Sequence, residues 1–276
     1  MGLPKRSSKP SEPKRPPPPA GSVRRGFERA FALARGGFGG FFSICVLTRV
    51  PPYLLRFLYI LVFIDAADDP GPLNLSAAVA VILYEGLSWV LGALALAAAI
   101  SAADQGRPLS VIGAFRAGFA RLSAGLKTAA LGGIFVGVGL AALLIPGLIL
   151  LYQFSFAWFA VAVEGLEGKA ALDSSRALVR AYPTRTLATL GLAAALSLGV
   201  AGAAMGSLNL ALGFVYGLFD LPENSLATAF VFDLARRVVF QCVPVAVAVY
   251  WWVAYAEFAA KVRPEKSGDE IELIAL

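Results

Sequence analysis

The sequence lacks histidine entirely and has only two cysteines among its 276 residues. Without imidazole there can be no His-based catalytic triad, no HExxH zinc site, no His-ligated haem and no imidazole proton relay. Cys45 and Cys242 lie in separate apolar runs outside any CxxC spacing, so both are predicted to be buried thiols. No metal site and no other cofactor is expected.

Enzyme motifs are missing as well. The chain has no GxSxG turn, no phosphate-binding loop and no GxGxxG followed by an acidic residue. No lysine lies inside an apolar run, and no two aspartates pair within one. The sequence therefore predicts no catalytic residue, and an enzyme is the least expected class.

Charge is scarce for a chain of this size. Only 15% of the residues are charged and 58% are apolar, against about 25% and about 45–50% in soluble domains. So few charges cannot cover a soluble globule, which indicates a polytopic membrane protein. The net charge of +6 follows membrane sidedness, as described below, and no nucleic-acid partner is expected.

Two tails flank the apolar region. Residues 1–21 are rich in proline, serine and basic residues, and are predicted to be a disordered cytoplasmic tail rather than a signal peptide. Residues 22–262 form the predicted membrane domain, and residues 263–276 a cytoplasmic C-terminal tail. The basic N-terminal tail is either simply solvated or in contact with anionic lipid or a cytoplasmic partner.

Six apolar runs are long enough to approach the roughly 20 residues that a membrane-spanning helix needs. They cover 38–67, 75–100, 128–145, 147–163, 187–219 and 238–260. The first run is too long for one span, so either it is tilted and kinked at Pro51–Pro52, or 38–46 lies at the interface and the span is nearer 50–67. The fourth run is expected to follow a turn at 145–147, with Pro146 in the first turn of the helix.

The basic residues are strongly one-sided with respect to these runs. Twenty of them lie in the tails and in the loops on one side, whereas the other side has only Arg236 and Arg237 among several acidic residues. The positive-inside rule therefore places both termini in the cytoplasm.

A short pattern recurs before each pair of spans. The segment from Ser22 resembles the segment from Ser110, and a looser copy begins at Lys169. Each has apolar residues at helical spacing with arginine between them, which favours an amphipathic helix at the cytoplasmic interface. The predicted fold is thus an all-α membrane protein of six transmembrane helices, arranged as three hairpins, each preceded by an interfacial helix. Arginines predicted to reach lipid headgroups are Arg24, Arg25, Arg116, Arg121, Arg176 and Arg180. These helices either sense lipid or a partner, or simply seal the bundle.

Ionisable residues at membrane depth are costly, and each is a candidate functional residue. Arg49, Arg56 and Glu85 define a candidate intramembrane polar site, in which Arg56 and Glu85 have matching depths and are predicted to form a buried ion pair. The pair either holds the first hairpin together or belongs to a substrate or proton pathway. In the fifth run, Gly202 and Gly206 form a GxxxG-like spacing, which indicates either intramolecular packing or a dimer face.

One run of motifs resembles the YciC-like group of bacterial membrane proteins, which includes the membrane domain of some glycerophosphodiester phosphodiesterases. The matching positions are Pro146, Gly147, Glu164, Ala171, Leu172, Ser175 and Leu178. The resemblance covers most of residues 23–269 and implies a fold and an inner-membrane location. It implies no activity, because the phosphodiesterase catalytic domain is absent from this sequence. Glu164 is expected to anchor the third interfacial helix, through its amides or through Arg176 or Arg180.

Two functional hypotheses follow. The first is a non-catalytic accessory or scaffold protein of the envelope that acts on anionic lipid or on partner proteins, with a homo-oligomer as one form of partnership. The second is a transporter or lipid-handling protein that uses the polar site around Arg56 and Glu85.

Overall fold

The computed structural model describes residues 23–63, 72–107, 110–219 and 226–262, so both predicted tails lie outside the described residues. Within these ranges the chain is helical and contains no strand. Ten helices follow one another: α1 (Val23–Phe63), α2 (Pro72–Asp104), α3 (Val111–Ala120), α4 (Leu122–Ala142), α5 (Leu144–Gln153), α6 (Ala157–Glu164), α7 (Lys169–Ala181), α8 (Pro183–Phe219), α9 (Leu226–Phe240) and α10 (Cys242–Val262).

Among the described residues, six helical stretches are long and apolar enough to cross a membrane, which confirms the number predicted from the sequence. They are Arg25–Val62, Leu75–Asp104, Leu122–Ala142, Leu144–Glu164, Pro183–Val215 and Phe230–Val262. Each coincides with one predicted run, although residues 64–67 of the first run lie outside the description. Large apolar side chains on these stretches are exposed, as expected where lipid is the solvent.

The first helix corrects one prediction. No break separates residues 23–37 from the first apolar run, because α1 continues over 41 residues and includes both Pro51 and Pro52. The segment predicted to be a separate amphipathic helix is therefore the first part of α1. No serine, threonine or aspartate stands between Arg29 and Phe38 to start a new helix, and membrane-spanning helices tolerate proline because neighbouring groups satisfy the freed carbonyls.

The other two short segments do form helices of their own. The Ser110 hydroxyl caps α3 by accepting a hydrogen bond from the Gly113 N–H at 3.3 Å. The third segment forms α7, which begins after Gly168 at a positive φ of 53° and buries Ala171, Leu172 and Leu178. The buried residues of α7 thus lie on the side of the helix that packs against the bundle.

Membrane-length stretches that are neighbours in the sequence also pack together. α1 lies along α2, α4 packs on α5 and α6, and α8 packs on α10, while α10 also contacts α1 and α2. Where α1 and α2 meet, a Cβ added to Gly92 would lie 2.7 Å from the Thr48 hydroxyl oxygen. Thr48 and Gly92 therefore mark the same depth in two antiparallel helices.

Buried aromatic rings fill the space between α6 and α10. The Phe159 ring lies 5.6 Å from that of Trp252 and 5.3 Å from that of Tyr255. Phe156 contacts Phe258 edge-to-face, with ring centroids 5.9 Å apart. Such tilted and perpendicular arrangements are favoured by the ring quadrupoles. This cluster lies next to the ends of α2, α6 and α10, where most polar contacts between helices are found.

Candidate functional site

The ends of α2, α6 and α10 and the beginnings of α1, α4 and α8 gather at one end of the bundle, which is called here the polar end. Asp104, the last residue of α2, accepts two 2.8 Å hydrogen bonds from Arg29 of α1. The same carboxylate accepts a 3.1 Å hydrogen bond from the indole N–H of Trp252 in α10. One largely buried carboxylate therefore joins three helices, and the sequence did not single it out.

Two further carboxylates act in the same way. Glu164 at the end of α6 accepts a hydrogen bond from the Tyr255 hydroxyl of α10. Glu257 pairs with Arg185 at 3.3 Å and with Lys261 at 2.6 Å, which ties α10 to the start of α8. Hydrogen bonds from charged donors to a carboxylate are among the strong ones in proteins. Glu164 thus joins α6 to α10 through Tyr255, whereas the sequence suggested contacts with the amides of α7 or with Arg176 or Arg180.

The loop before α7 is held from α4. Lys127 pairs with Glu167 at 2.9 Å, and the Thr128 hydroxyl accepts a 2.8 Å hydrogen bond from the Gly168 N–H. Gly165 adopts a φ of 69°, and a Cβ at this position would lie 2.4 Å from a guanidinium nitrogen of Arg121. Arg121 therefore lies against the end of α6 instead of projecting into open space.

The predicted headgroup arginines fall into two groups. Arg25, Arg116 and Arg180 are exposed and make no ion pair or side-chain hydrogen bond with the described part of the chain. The side chain of Arg24 lies outside the description. Arg176 behaves differently: it donates a 3.0 Å hydrogen bond to the Gln153 side chain, lies 5.5 Å over the Phe154 ring and pairs with Asp173 at 3.7 Å. Arg176 is a structural contact to the fourth span.

The motif residue Ser175 is fully buried beside a break in the fourth span. Its hydroxyl donates a 2.8 Å hydrogen bond to the Gln153 carbonyl and accepts a 3.1 Å hydrogen bond from the Phe156 N–H. These are backbone groups that the interruption between α5 and α6 leaves without their helical partners. The sequence singled out Ser175 as a motif residue, but the role of its hydroxyl could not be read from its spacing.

The boundary between the third and fourth spans differs from the one predicted around Pro146 and Gly147. The turn predicted at 145–147 is a single extended residue, Leu143, and Pro146 lies in the first turn of α5, where a missing N–H costs little. Gly147 is needed for packing, because a Cβ there would lie 2.6 Å from the Leu140 backbone nitrogen. α4 and α5 approach each other closely at this point, and Leu143 alone connects them.

The candidate intramembrane site is not assembled as predicted. Arg49 is exposed with its guanidinium 5.9 Å over the Trp89 ring, Arg56 is exposed, and Glu85 is half-buried. Neither Arg56 nor Glu85 forms an ion pair or hydrogen bond within the described ranges, so the predicted pair is wrong. Their depths do match, but Arg56 follows Thr48 by eight residues and is rotated by roughly 80° from the face that meets α2.

Glu85 precedes Asp104 by 19 residues, or about 28 Å along the helix. Glu85 and Arg56 therefore lie well away from the polar end, at what is called here the opposite level.

Other polar residues share that opposite level. Arg237 of α9 pairs with Asp233 at 3.0 Å and lies 4.1 Å over the Tyr53 ring of α1. Arg236 donates a 3.1 Å hydrogen bond to the side chain of Asn209 in α8. Asp233, Arg236 and Arg237 belong to α9, which begins before the sixth apolar run predicted at 238–260.

The two cysteines are free thiols, Cys45 buried and Cys242 half-buried. No group of three or more acidic or cysteine side chains that could hold a metal ion occurs in the described ranges. The glycines of the fifth span, including Gly202 and Gly206, have nothing within 4 Å of an added Cβ. They are therefore not used for close packing between the described helices.

Together, these features describe a helical bundle with membrane-length spans, a polar end rich in carboxylate anchors, and unpaired cations around it. No model of a known protein family matches this chain, and no curated protein or solved structure matches it either. The resemblance to the YciC-like group stays a prediction.

Proposed function

We propose that this chain is a multi-pass protein of the bacterial inner membrane, with the polar end and both termini on the cytoplasmic side. In this proposal it is a non-catalytic accessory or scaffold protein that binds anionic lipid headgroups. The one-sided distribution of basic residues supports the orientation, because the loops at the polar end carry most of them.

The pairing of charges at the polar end is the observation that carries the lipid-binding role. Its acidic side chains, including Asp104, Glu164, Glu167 and Glu257, are already bonded to donors. Several exposed cations have no such partner among the described residues: Arg25, Arg107, Arg116, Lys169 and Arg180. The surface is therefore left with uncompensated positive charge at the level where phosphate groups lie, and each such charge contributes about 1 kcal/mol to anionic membrane binding.

The finer architecture belongs to the same proposal. Three units, each an interfacial segment followed by a transmembrane hairpin, account for the order of α1 to α10. The first interfacial segment is continuous with α1, whereas α3 and α7 are separate. In support, α7 buries Leu172 and Leu178 against the bundle while Lys169 and Arg180 remain exposed.

Lipid retention tests the lipid-binding role. The protein is reconstituted in nanodiscs of mixed phosphatidylglycerol and phosphatidylcholine, and the phosphatidylglycerol bound after detergent extraction is measured by mass spectrometry. Replacing Arg116 and Arg180 by glutamine should lower this amount at least severalfold. The control is Arg236→Gln, which removes one positive charge at the opposite level. Equal retention by all three proteins would refute the lipid-binding role.

Cysteine labelling tests the orientation. In a background without Cys45 and Cys242, cysteines placed at Asn74 and Asn224 should react with an impermeant maleimide in intact cells. Cysteines at Ser7 and Ser267 should react only after permeabilisation. Labelling of Ser7→Cys in intact cells contradicts the proposed topology.

A transporter or lipid-handling protein is the alternative, and the geometry favours it less. It depends on Arg56 and Glu85, which do not pair within the described ranges. In proteoliposomes this alternative predicts that Arg56→Ala abolishes lipid or solute flux while the protein stays folded. The scaffold proposal predicts no flux in either protein.

A further inference from the structure

The fourth span is interrupted at Phe154–Phe156, between α5 and α6, and the interruption changes the backbone hydrogen bonds. The Ser155 N–H points to the Tyr152 carbonyl at a long 3.4 Å, and the Ala157 N–H binds the Phe154 carbonyl at 3.0 Å. In an unbroken α-helix both would bind the carbonyl four residues back. The Phe156 N–H binds the side chain of Ser175 instead.

The Ser155 hydroxyl is left without a partner. Ser155 is 91% buried and its oxygen makes no hydrogen bond. Other buried or half-buried hydroxyls in these spans donate to a carbonyl four residues back: Thr48 to Ile44, Thr128 to Ala124, Thr186 to Tyr182, Thr189 to Arg185 and Ser197 to Ala193. In an unbroken helix Ser155 would bind the Leu151 carbonyl in the same way.

Two arrangements of this segment therefore satisfy different groups. The broken arrangement uses both hydrogen-bonding functions of the Ser175 hydroxyl and the Arg176–Gln153 contact, but leaves the Ser155 hydroxyl unsatisfied. The continuous arrangement satisfies Ser155 and the helical amides, but leaves the buried Ser175 hydroxyl without its two partners. Neither arrangement satisfies every buried group.

We propose that Phe154–Phe156 is a two-state joint in the fourth span, and that α7 holds it in the broken state through Ser175. The joint makes the shape of a membrane span depend on a helix at the polar end. Displacement of α7 removes Ser175 from the break, and the freed segment then rewinds into one helix from α5 to α6. The proposal goes beyond lipid binding and does not depend on it.

Distance measurements between spin labels test the joint. Labels are placed at Ile149 in α5 and Val163 in α6 of the full chain in nanodiscs, after Cys45 and Cys242 are replaced by alanine. In a continuous helix these positions are separated by about 21 Å along the axis. Ser175→Ala should increase the population at this separation several-fold, since the net stabilisation of the two hydrogen bonds of this hydroxyl is lost from the broken state.

Ser155→Ala supplies the opposite test. It removes the unsatisfied hydroxyl from the broken state and should decrease the continuous population, whereas a rigid break predicts no change. Ser197→Ala is the matched control, because it removes a hydroxyl bonded within its own helix. Opposite shifts in the two variants, with none in the control, support the joint. If Ser175→Ala and Ser155→Ala both show the same distance distribution as the unsubstituted protein, the joint is overturned. If Ser175→Ala does not fold, the result for Ser155→Ala alone decides.

Discussion

Arg29 and Asp104 are joined by two 2.8 Å hydrogen bonds although 75 residues separate them in the sequence. Asp104 also accepts the Trp252 N–H, and its side chain is only 16% exposed, whereas that of Arg29 is 50% exposed. The carboxylate is thus the buried member of the contact and the guanidinium the solvated one.

This difference predicts unequal effects of substitution. Asp104→Ala removes the acceptor for two side chains and should lower the free energy of unfolding by about 2–4 kcal/mol. Arg29→Met should lower it by at most about 1 kcal/mol, because an exposed ion pair is screened by solvent. Thermal or denaturant unfolding in detergent measures both. Equal losses would contradict the assignment of Asp104 as the anchor.

Two glycines should respond in opposite ways to alanine. Gly147→Ala forces a Cβ to within 2.6 Å of the Leu140 backbone and should cost about 1–3 kcal/mol. Gly202→Ala meets nothing within 4 Å and should stabilise α8 by about 0.5–1 kcal/mol through helix propensity. The free energies of unfolding of the two variants are measured and compared with the protein highly diluted in lipid. A loss of stability in Gly202→Ala would mean that the open face of α8 is covered in the assembled protein.

The contact between Glu164 and Tyr255 should contribute more than an exposed phenol contact. Tyr255→Phe removes a hydrogen bond to a carboxylate from a buried hydroxyl and should cost about 1.5–3 kcal/mol. Tyr152→Phe is the comparison, because its hydroxyl binds the Pro183 carbonyl at 2.7 Å in an exposed setting, and it should cost less than about 1.5 kcal/mol. The same unfolding assay ranks them, and the reverse order would show that Tyr255 is not an anchor.

Arg56 and Glu85 should show no energetic coupling. Single substitutions Arg56→Gln and Glu85→Gln and their combination form a double-mutant cycle. Since the two side chains do not pair, the interaction free energy should lie within about 0.5 kcal/mol of zero. A coupling above 1 kcal/mol would restore the ion pair that the spacing suggested.

Some of the architecture could be predicted because it depends on local composition. Six spans were predicted because a run of about 20 apolar residues has few alternatives to crossing the bilayer, and the computed structure agrees with their number. Their limits were less accurate. α1 begins at Val23 instead of near residue 38, and α5 begins at Leu144 before Pro146, since proline is tolerated near the start of a helix.

Contacts between helices could not be predicted in the same way. Matching depth suggested an Arg56–Glu85 pair, but pairing also requires the right rotation of each helix about its axis. Arg176 was assigned to lipid from its charge, whereas in the structure it bonds to Gln153. Asp104 was overlooked because an aspartate at the end of a helix has no distinctive spacing.

The order of apolar runs and the sidedness of basic residues are properties of the chain read in sequence, and they alone determine a multi-span helical membrane protein. Tertiary structure decided which polar groups meet: Asp104 with Arg29 and Trp252, Glu164 with Tyr255, and Ser175 with the open backbone of the fourth span. The physical reason is that burial in lipid depends on segment composition, whereas a hydrogen bond requires two groups to coincide within about 3 Å, which only the packing of whole helices can arrange.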